Sequence, residues 1–582
     1  MHLRFFLAAT AVAIGLGVSA CGSSGSLATT AEAEAVPADY PGNNNTVPAT
    51  PAAGKSRAGT AYDVYIQGPG TGDKIAFTVF EPATLEGGKT YPLVLYGAGF
   101  GNPRDTASSN ADVKYLTDAG YGAISFDYRG HGESNGTIRV MDPDYEGKDL
   151  LAVLDWAEAK LDWLEYRPSG DDPHNLVLGS TGGSYGGMYQ YMLHNIDPKH
   201  RLDAMVPEVA PNNLDQALFP NGVPKTIWDV FLFTAAQTAG VQGGFSAAHL
   251  DPYLISGFID SLAADKAVNG LDDFLYYHSN QYFCADRQVA TNGGPGTAPE
   301  LPPRLGPPVN AMLFQGMRDT LFDFSQAYAN YQCLRREGGD VRLLSYQAGH
   351  NQFQVAPDPG QIYQPLLEAF DKTCGSLDVY TATLAFFKQY LQGVPGAANA
   401  VPTRPCLSIE KGDGVLVNQI MTQQGGGETE VDIPATNVIA GLTGADLAPV
   451  AVDLGIVGAK DTSVVGGIPH LQLTVQAAPG SIGEPTLFVG LGQTHNGVPG
   501  VWDLIDNQVL PLRGTGTFDV DLVGVAARLA AGDQLALLIY GLHSQFIATG
   551  SINTASPAVV PVTVSGKVWV PLLPAGSYVA AP

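Results

Sequence analysis

Apolar and polar positions divide the chain into stretches of different rhythm. Strand-like alternation opens at Ala61 to Ile66 and continues through Lys74 to Glu81. Mainly apolar strand-like runs follow at Tyr91 to Tyr96, Ala123 to Asp127, Asn175 to Gly179 and Leu202 to Val209. Runs of helical period separate them at Ala111 to Ala119, Tyr145 to Leu164 and Tyr185 to Asn195. A strand reads as unbroken apolar sequence when helices cover both faces of its sheet, so residues 59–210 predict the α/β class: a mostly parallel sheet with helices on both faces. The rhythm fails over 211–306, where proline-bounded loops alternate with helical Thr226 to Ala239 and Leu254 to Val268. It resumes over 307–400 with strands Pro308 to Gly316 and Val341 to Gln347, and Phe324 to Arg336 between them is long enough for a crossover helix. The stretch 211–306 is therefore an insertion, expected to lie over the carboxyl ends of the strands as a lid.

Residues 405–582 differ again. Short alternating runs at Leu471 to Gln476, Thr486 to Leu491, Thr517 to Leu522, Gln534 to Tyr540 and Lys567 to Leu572 stand between Gly, Pro, Asn and Asp turns. That spacing predicts an all-β sandwich of jelly-roll type. At the other end, residues 1–20 read as an export signal: His2 and Arg4, an apolar run from Phe5 to Val18, then Val18-Ser19-Ala20-Cys21. This closing run resembles a bacterial lipobox, which makes Cys21 the expected lipidation site of an exported cell-envelope lipoprotein; cleavage after Ala20, releasing a periplasmic or secreted protein, is the alternative. Residues 21–58, rich in Gly, Ser, Ala, Thr and Pro, read as a disordered tether.

Composition narrows the partners. With 56 acidic against 30 basic residues the net charge is −26, which disfavours nucleic acid and anionic membrane surfaces, so membrane attachment is expected only through the N-terminal lipid. Besides Cys21 there are four cysteines, Cys284, Cys333, Cys374 and Cys406. In an exported chain they suggest two disulfides with three possible pairings, of which the sequence-local one, Cys284 with Cys333 and Cys374 with Cys406, is preferred. None of them lies at the close spacing of a zinc site, and neither metal nor cofactor is expected.

The candidate chemistry centres on Gly182-Gly183-Ser184-Tyr185-Gly186-Gly187, between an apolar run and a helical one. A serine on a sharp strand-to-helix turn has its hydroxyl lifted out of the turn, and glycines at either side remove side chains that would collide. Such a nucleophile elbow belongs to α/β-hydrolases, whose triad runs in the order nucleophile, acid, base, the last two after later strands. Asp319, three residues past the run ending at Gly316, and His350, past the run ending at Gln347, meet that order; Asp323 is the fallback acid. His131 is the rival base, but it precedes the serine. Ser184 would attack an acyl carbon, His350 would take and return the proton, and Asp319 would hold the imidazole. Oxyanion donors are expected in the N–H of Tyr185 and, from Gly97-Ala98-Gly99-Phe100-Gly101, the N–H of Ala98 or Gly99.

Three segments together resemble the X-Pro dipeptidyl-peptidase and cocaine-esterase-like serine hydrolases: Asp127-Tyr128-Arg129-Gly130-His131-Gly132-Glu133-Ser134-Asn135-Gly136, the elbow from Gly179 to Gly187, and Arg528-Leu529-Ala530-Ala531-Gly532-Asp533-Gln534-Leu535. The resemblance implies a hydrolase core with helical lid and β tail, and gives Ser184, Asp319 and His350 the triad roles. Two departures bring the site closer to a general α/β-hydrolase. The family's oxyanion tyrosine, from a Pro-Tyr motif, is replaced by Tyr96-Gly97-Ala98-Gly99-Phe100, and Met317-Arg318 precedes the aspartate where the family has Gly-Trp. The sequence thus predicts a serine hydrolase acting on a small ester or peptide. A peptidase removing X-Pro would need a carboxylate for the substrate ammonium, with Glu208, Asp215 and Asp229 available; an esterase would need only an apolar acyl slot. The competing class is a non-catalytic, surface-anchored binding protein on a decayed hydrolase core.

Overall fold

The computed structural model describes residues 57–69, 71–169, 172–240, 249–284, 301–302, 304–350, 371–441, 449–459, 463–494, 498–546 and 559–582. The signal, Cys21 and most of the tether lie outside them. Strands β1 (Ala61–Gln67), β2 (Lys74–Phe80), β3 (Leu93–Gly97), β4 (Gly122–Phe126), β5 (Leu178–Gly183), β6 (Leu202–Glu208), β7 (Asn310–Gly316), β8 (Val341–Tyr346), β9 (Cys406–Glu410), β10 (Asp413–Val417) and β11 (Tyr578–Ala580) form one sheet in the order β1-β2-β4-β3-β5-β6-β7-β8-β9-β10-β11. Pairing is parallel from β4 through β9 and antiparallel at both margins.

Adjacent side chains of a strand point to opposite faces, and both faces here are apolar. Leu93, Leu95, Leu313 and Leu343 join one core, while Val94, Met312, Phe314 and Leu344 join the other. Helices α1 (Ala111–Asp118), α2 (Glu146–Lys160), α3 (Tyr185–Ile196), α9 (Phe324–Glu337) and α10 (Val379–Tyr390) cover them. The lid contributes α4 (Leu214–Leu218), α5 (Thr226–Gln237), α6 (Pro252–Ala264), α7 (Leu271–Tyr277) and α8 (Asn280–Cys284).

Three differences from the sequence reading have physical reasons. The apolar run before the serine is split: Asp172–Leu176 pairs with Tyr166–Ser169 as a hairpin, and the strand that enters the elbow is β5, which includes Gly182 and Gly183. Glycines signal turns in sequence, but here they are strand residues against which neighbours pack closely. A boundary at 405 does not coincide with the edge of the sheet, because β9 and β10 extend it and β11, at the far end of the chain, closes it. Helix α10, which buries Phe386 and Phe387 on one face of the sheet, was not read from its mixed apolar pattern. Between β10 and β11 the chain builds largely antiparallel sheets around a core of Leu471, Leu473, Leu487, Val489, Leu537 and Val564. The disulfides are Cys284 with Cys333, joining α8 to α9, and Cys374 with Cys406, so the first ties the lid to the core.

Candidate active site

Register places the ends of the relevant strands side by side. Gly183 pairs with Glu208, Glu208 with Phe314, and Gly316 with Tyr346, so Ser184, Asp319 and His350 all follow strand carboxyl ends at one rim of the sheet. This is where open parallel sheets carry their sites.

Ser184 has φ 60° and ψ −120°, a conformation costly for a residue with a Cβ. It is held from both sides. Its N–H donates to Glu208 O at 2.9 Å, and its carbonyl accepts from Gly187 and Met188 N at 2.8 and 3.0 Å. The glycines are required: a Cβ on Gly182 would lie 2.4 Å from Gly97 O, and one on Gly186 2.0 Å from it. The loop carrying Ala98 therefore packs directly against the elbow. Its Ala98 and the helix-initiating Tyr185 are both buried.

Asp319 is fully buried and saturated with donors. Its Oδ1 accepts from Leu321 and Phe322 N at 2.9 and 2.8 Å, and its Oδ2 from His350 Nδ1 at 2.7 Å and His350 N at 3.0 Å. With Nδ1–H donated to the carboxylate, the neutral ring carries its lone pair on Nε2. Gly349, at φ 138°, permits this approach, since a Cβ there would stand 2.8 Å from Asp319 Cβ. The imidazole is further fixed by ring edges of Phe322 (5.2 Å) and Trp228 (6.0 Å), while His350 O accepts from Thr320 N and Oγ1. Trp228 Nε1 donates to Thr320 Oγ1 at 3.1 Å.

Thus the structure joins Asp319 to His350 by hydrogen bonds and brings Ser184 to the same rim; no hydrogen bond links Ser184 Oγ to His350 here. Phe322 connects the two, since it packs on the His350 ring and lines the cavity into which Ser184 faces. That cavity, roughly 700 Å³ counting its open mouth, lies under the lid and is walled by apolar residues including Leu218, Phe233, Leu254, Phe258 and Leu275. Among the described residues no carboxylate lines it.

The other candidates have separate duties. Asp323 caps α9, accepting from Ser325 and Gln326 N. His131 is buried, stacks on Tyr185 and faces Arg129 O through Nδ1; burial lowers its pKa to about 4. Glu208 is engaged by Lys372 and the Tyr346 hydroxyl. Asp229 is fully buried beside Lys225, and burial holds its pKa well above the usual carboxylate range. Lys225 is also buried and donates through Nζ to Leu321 O at 2.9 Å. Of the lid aromatics, Phe233 lines the cavity and Trp228 touches the imidazole, whereas Tyr276, Tyr277 and Tyr282 are lid core. Trp228, Thr320 and Phe322 as supports of His350 were not read from sequence; only proximity to Asp319 could have suggested the last two.

Residues 71–352 match the family model described as X-Pro dipeptidyl-peptidase (S15 family). A curated Escherichia coli relative, an uncharacterized 31.7 kDa protein, is 30% identical over 128 residues, 22% of this chain and 39% of that protein. A lysophosphatidylserine lipase of Xenopus tropicalis is 37% identical over 95 residues, 16% of this chain and 22% of the lipase. The chain thus spans well under half the length of these curated relatives. Two solved structures share the fold over most of the chain: a CocE/NonD family hydrolase from Staphylococcus aureus (TM-score 0.59, 14% identity, 88% of this chain and 94% of that one) and an aminopeptidase from a marine sediment Thaumarchaeota archaeon (TM-score 0.55, 14% identity, 87% and 96%). Residues 71–352, just under half of the chain, are thus the part that resembles the X-Pro dipeptidyl-peptidase (S15) family.

Proposed function

We propose that the chain is a carboxylic-ester hydrolase that takes substrates with an apolar acyl group and works through an acyl-enzyme on Ser184. Ser184 Oγ attacks the acyl carbon as His350 Nε2 takes its proton, and the oxyanion forms against the N–H groups of Tyr185 and Ala98. The imidazolium, held by Asp319, returns the proton to the departing alcohol. Water then attacks the acyl-enzyme with the same histidine as base, releasing the acid. The open state of a serine hydrolase need not have the serine and histidine hydrogen-bonded, because such bonds tighten when substrate is bound.

The observation that carries the ester reading is the apolar wall around Ser184. Taking X-Pro from a peptide would require an anion facing the cavity to hold the ammonium group, and an isolated ammonium buried among leucines and phenylalanines costs far more than an acyl chain gains there. Glu208 is occupied by Lys372, and neither Asp215 nor Asp229 is part of the described wall. The two disulfides support work in an oxidising compartment, which fits export and lipidation at Cys21.

A fluorophosphonate probe, scored by mass on the peptide containing Ser184, tests the nucleophile: labelling elsewhere, or turnover retained in Ser184→Ala, defeats it. Comparing p-nitrophenyl esters with Gly-Pro and Ala-Pro anilides tests the substrate class. Preference for the anilides would replace the esterase with the dipeptidyl-peptidase.

A further inference from the structure

The loop that carries Asp319 is held by the C-terminal β region as well as by its own domain. Gln508, buried between the two, donates both N–H bonds of its side-chain amide to this loop, from Nε2 to Met317 O at 2.9 Å and to Asp319 O at 2.9 Å. Met317 and Asp319 are themselves fully buried, so each carbonyl would otherwise be an acceptor shut away from water.

The turn that presents Gln508 is strained and braced. Asp506 and Asn507 stand consecutively at φ 54° and 58°, a left-handed pair tolerated best by residues of this type. Asp506 Oδ2 accepts from Ala526 N at 2.8 Å, Gln545 Nε2 donates to Asn507 O at 2.6 Å, and Gln508 N closes the turn on Ile505 O at 3.1 Å. Gly490 leaves room for it, since a Cβ there would lie 2.3 Å from Gln508 O. Backbone strain kept in place by three separate contacts points to a duty for the residue it aims.

We infer that Gln508 is a positioning residue for the acid of the triad, so that the β region is part of the catalytic apparatus rather than an appended binding module. Rotation of the peptide planes that carry Met317 O and Asp319 O would swing the Asp319 carboxylate relative to His350, and the double hydrogen bond from Gln508 resists it, alongside the bond that Lys225 of the lid makes to Leu321 O. Sub-ångström drift of a triad member is enough to lower turnover while leaving ground-state binding alone. The inference rests on the Ser184, His350 and Asp319 reading.

The test is Gln508→Met, which keeps length and bulk and removes both donors. Against p-nitrophenyl butyrate, kcat is expected to fall roughly tenfold with KM within about twofold, and the acid limb of the kcat profile to move to lower pH as the imidazolium loses its well-placed partner. Asn221→Ala, which removes another hydrogen bond between lid and β region (Asn221 Nδ2 to Pro511 O, 2.9 Å), is the comparison and should keep the wild-type kcat and profile. Wild-type kcat and pH profile in Gln508→Met overturn the inference, and so does an equal loss in Asn221→Ala. If Gln508→Met gives no folded protein, Gln508→Asn withdraws the same amide by one methylene; the same fall in kcat is expected, and wild-type kcat overturns the inference. Labelling of wild-type Ser184 is scored alongside. Labelled Ser184 with an unaffected Gln508→Met removes the positioning role alone, whereas an unlabelled Ser184 removes the triad reading and the positioning role with it.

Discussion

His350 donates twice to one oxygen of Asp319, from ring Nδ1 at 2.7 Å and from its own backbone N at 3.0 Å. The carboxylate therefore sets the position of both the ring and the main chain that carries it. Its other oxygen takes two backbone N–H groups, from Leu321 and Phe322. An asparagine has only one acceptor oxygen, so Asp319→Asn must turn an amide N–H towards a donor, and the imidazole then carries its proton on Nε2. Turnover of esters is expected to fall by about 10³ to 10⁴, with KM changed little. Stopped-flow or steady-state kinetics on p-nitrophenyl esters check this; a loss under tenfold would remove Asp319 from the triad.

Strain at Ser184 separates function from stability. At φ 60° and ψ −120° the Cβ is the source of the cost, and glycine has none. Ser184→Gly and Ser184→Ala are both expected to be inactive, but the glycine variant should be the more stable by about 1 kcal/mol in urea unfolding. Equal stabilities would mean that the turn is relaxed and the hydroxyl is not held out at a cost.

Much of this site was legible in sequence because its signals are local. The turn at Ser184 and the strands before Asp319 and His350 lie where the sequence reading put them, since the runs ending at Gly316 and Tyr346 are each buried in the middle of the sheet. Strand boundaries failed where glycine was a packing residue rather than a turn, as at Gly182 and Gly183 in β5. The residues that hold the site from afar were not legible. Trp228 reaches His350 from the lid and Gln508 reaches the acid loop from the far end of the chain, and neither belongs to a pattern around its own position. His543 is buried between the Phe488 and Tyr540 rings just past the end of an interior strand, Gln534–Tyr540, and no pattern around its own position announces that burial.

Acyl-chain selectivity follows from the shape of the wall. Leu218 and Leu275 come from different lid helices and line the cavity with Ser184. Leu275→Trp adds bulk inside without adding charge and is expected to lower kcat/KM for p-nitrophenyl octanoate by about tenfold or more while leaving the acetate within about threefold. An equal loss on both esters would place the acyl group elsewhere.

Acid stability carries two histidine contributions of opposite sign. Burial lowers His543 to about 3, against an ordinary value of 6.5. Between those values the unfolded chain takes up a proton that the folded one refuses, so stability falls as pH drops through this window. For His470 burial acts in the same downward direction but is outweighed by hydrogen bonds with Asp521 and Asp519, at 2.7 and 2.6 Å, so its pKa is raised. Its contribution is complete below the ordinary histidine value and disappears as pH rises through the folded one. His543→Phe should therefore lose about 2 kcal/mol less than wild type on going from pH 7 to pH 5. His470→Gln should show its deficit at pH 5 and little of it at pH 9. Urea midpoints at the three pH values measure both, and a His543→Phe variant whose stability falls as steeply as wild type between pH 7 and 5 would show that this imidazole protonates without unfolding the domain that buries it.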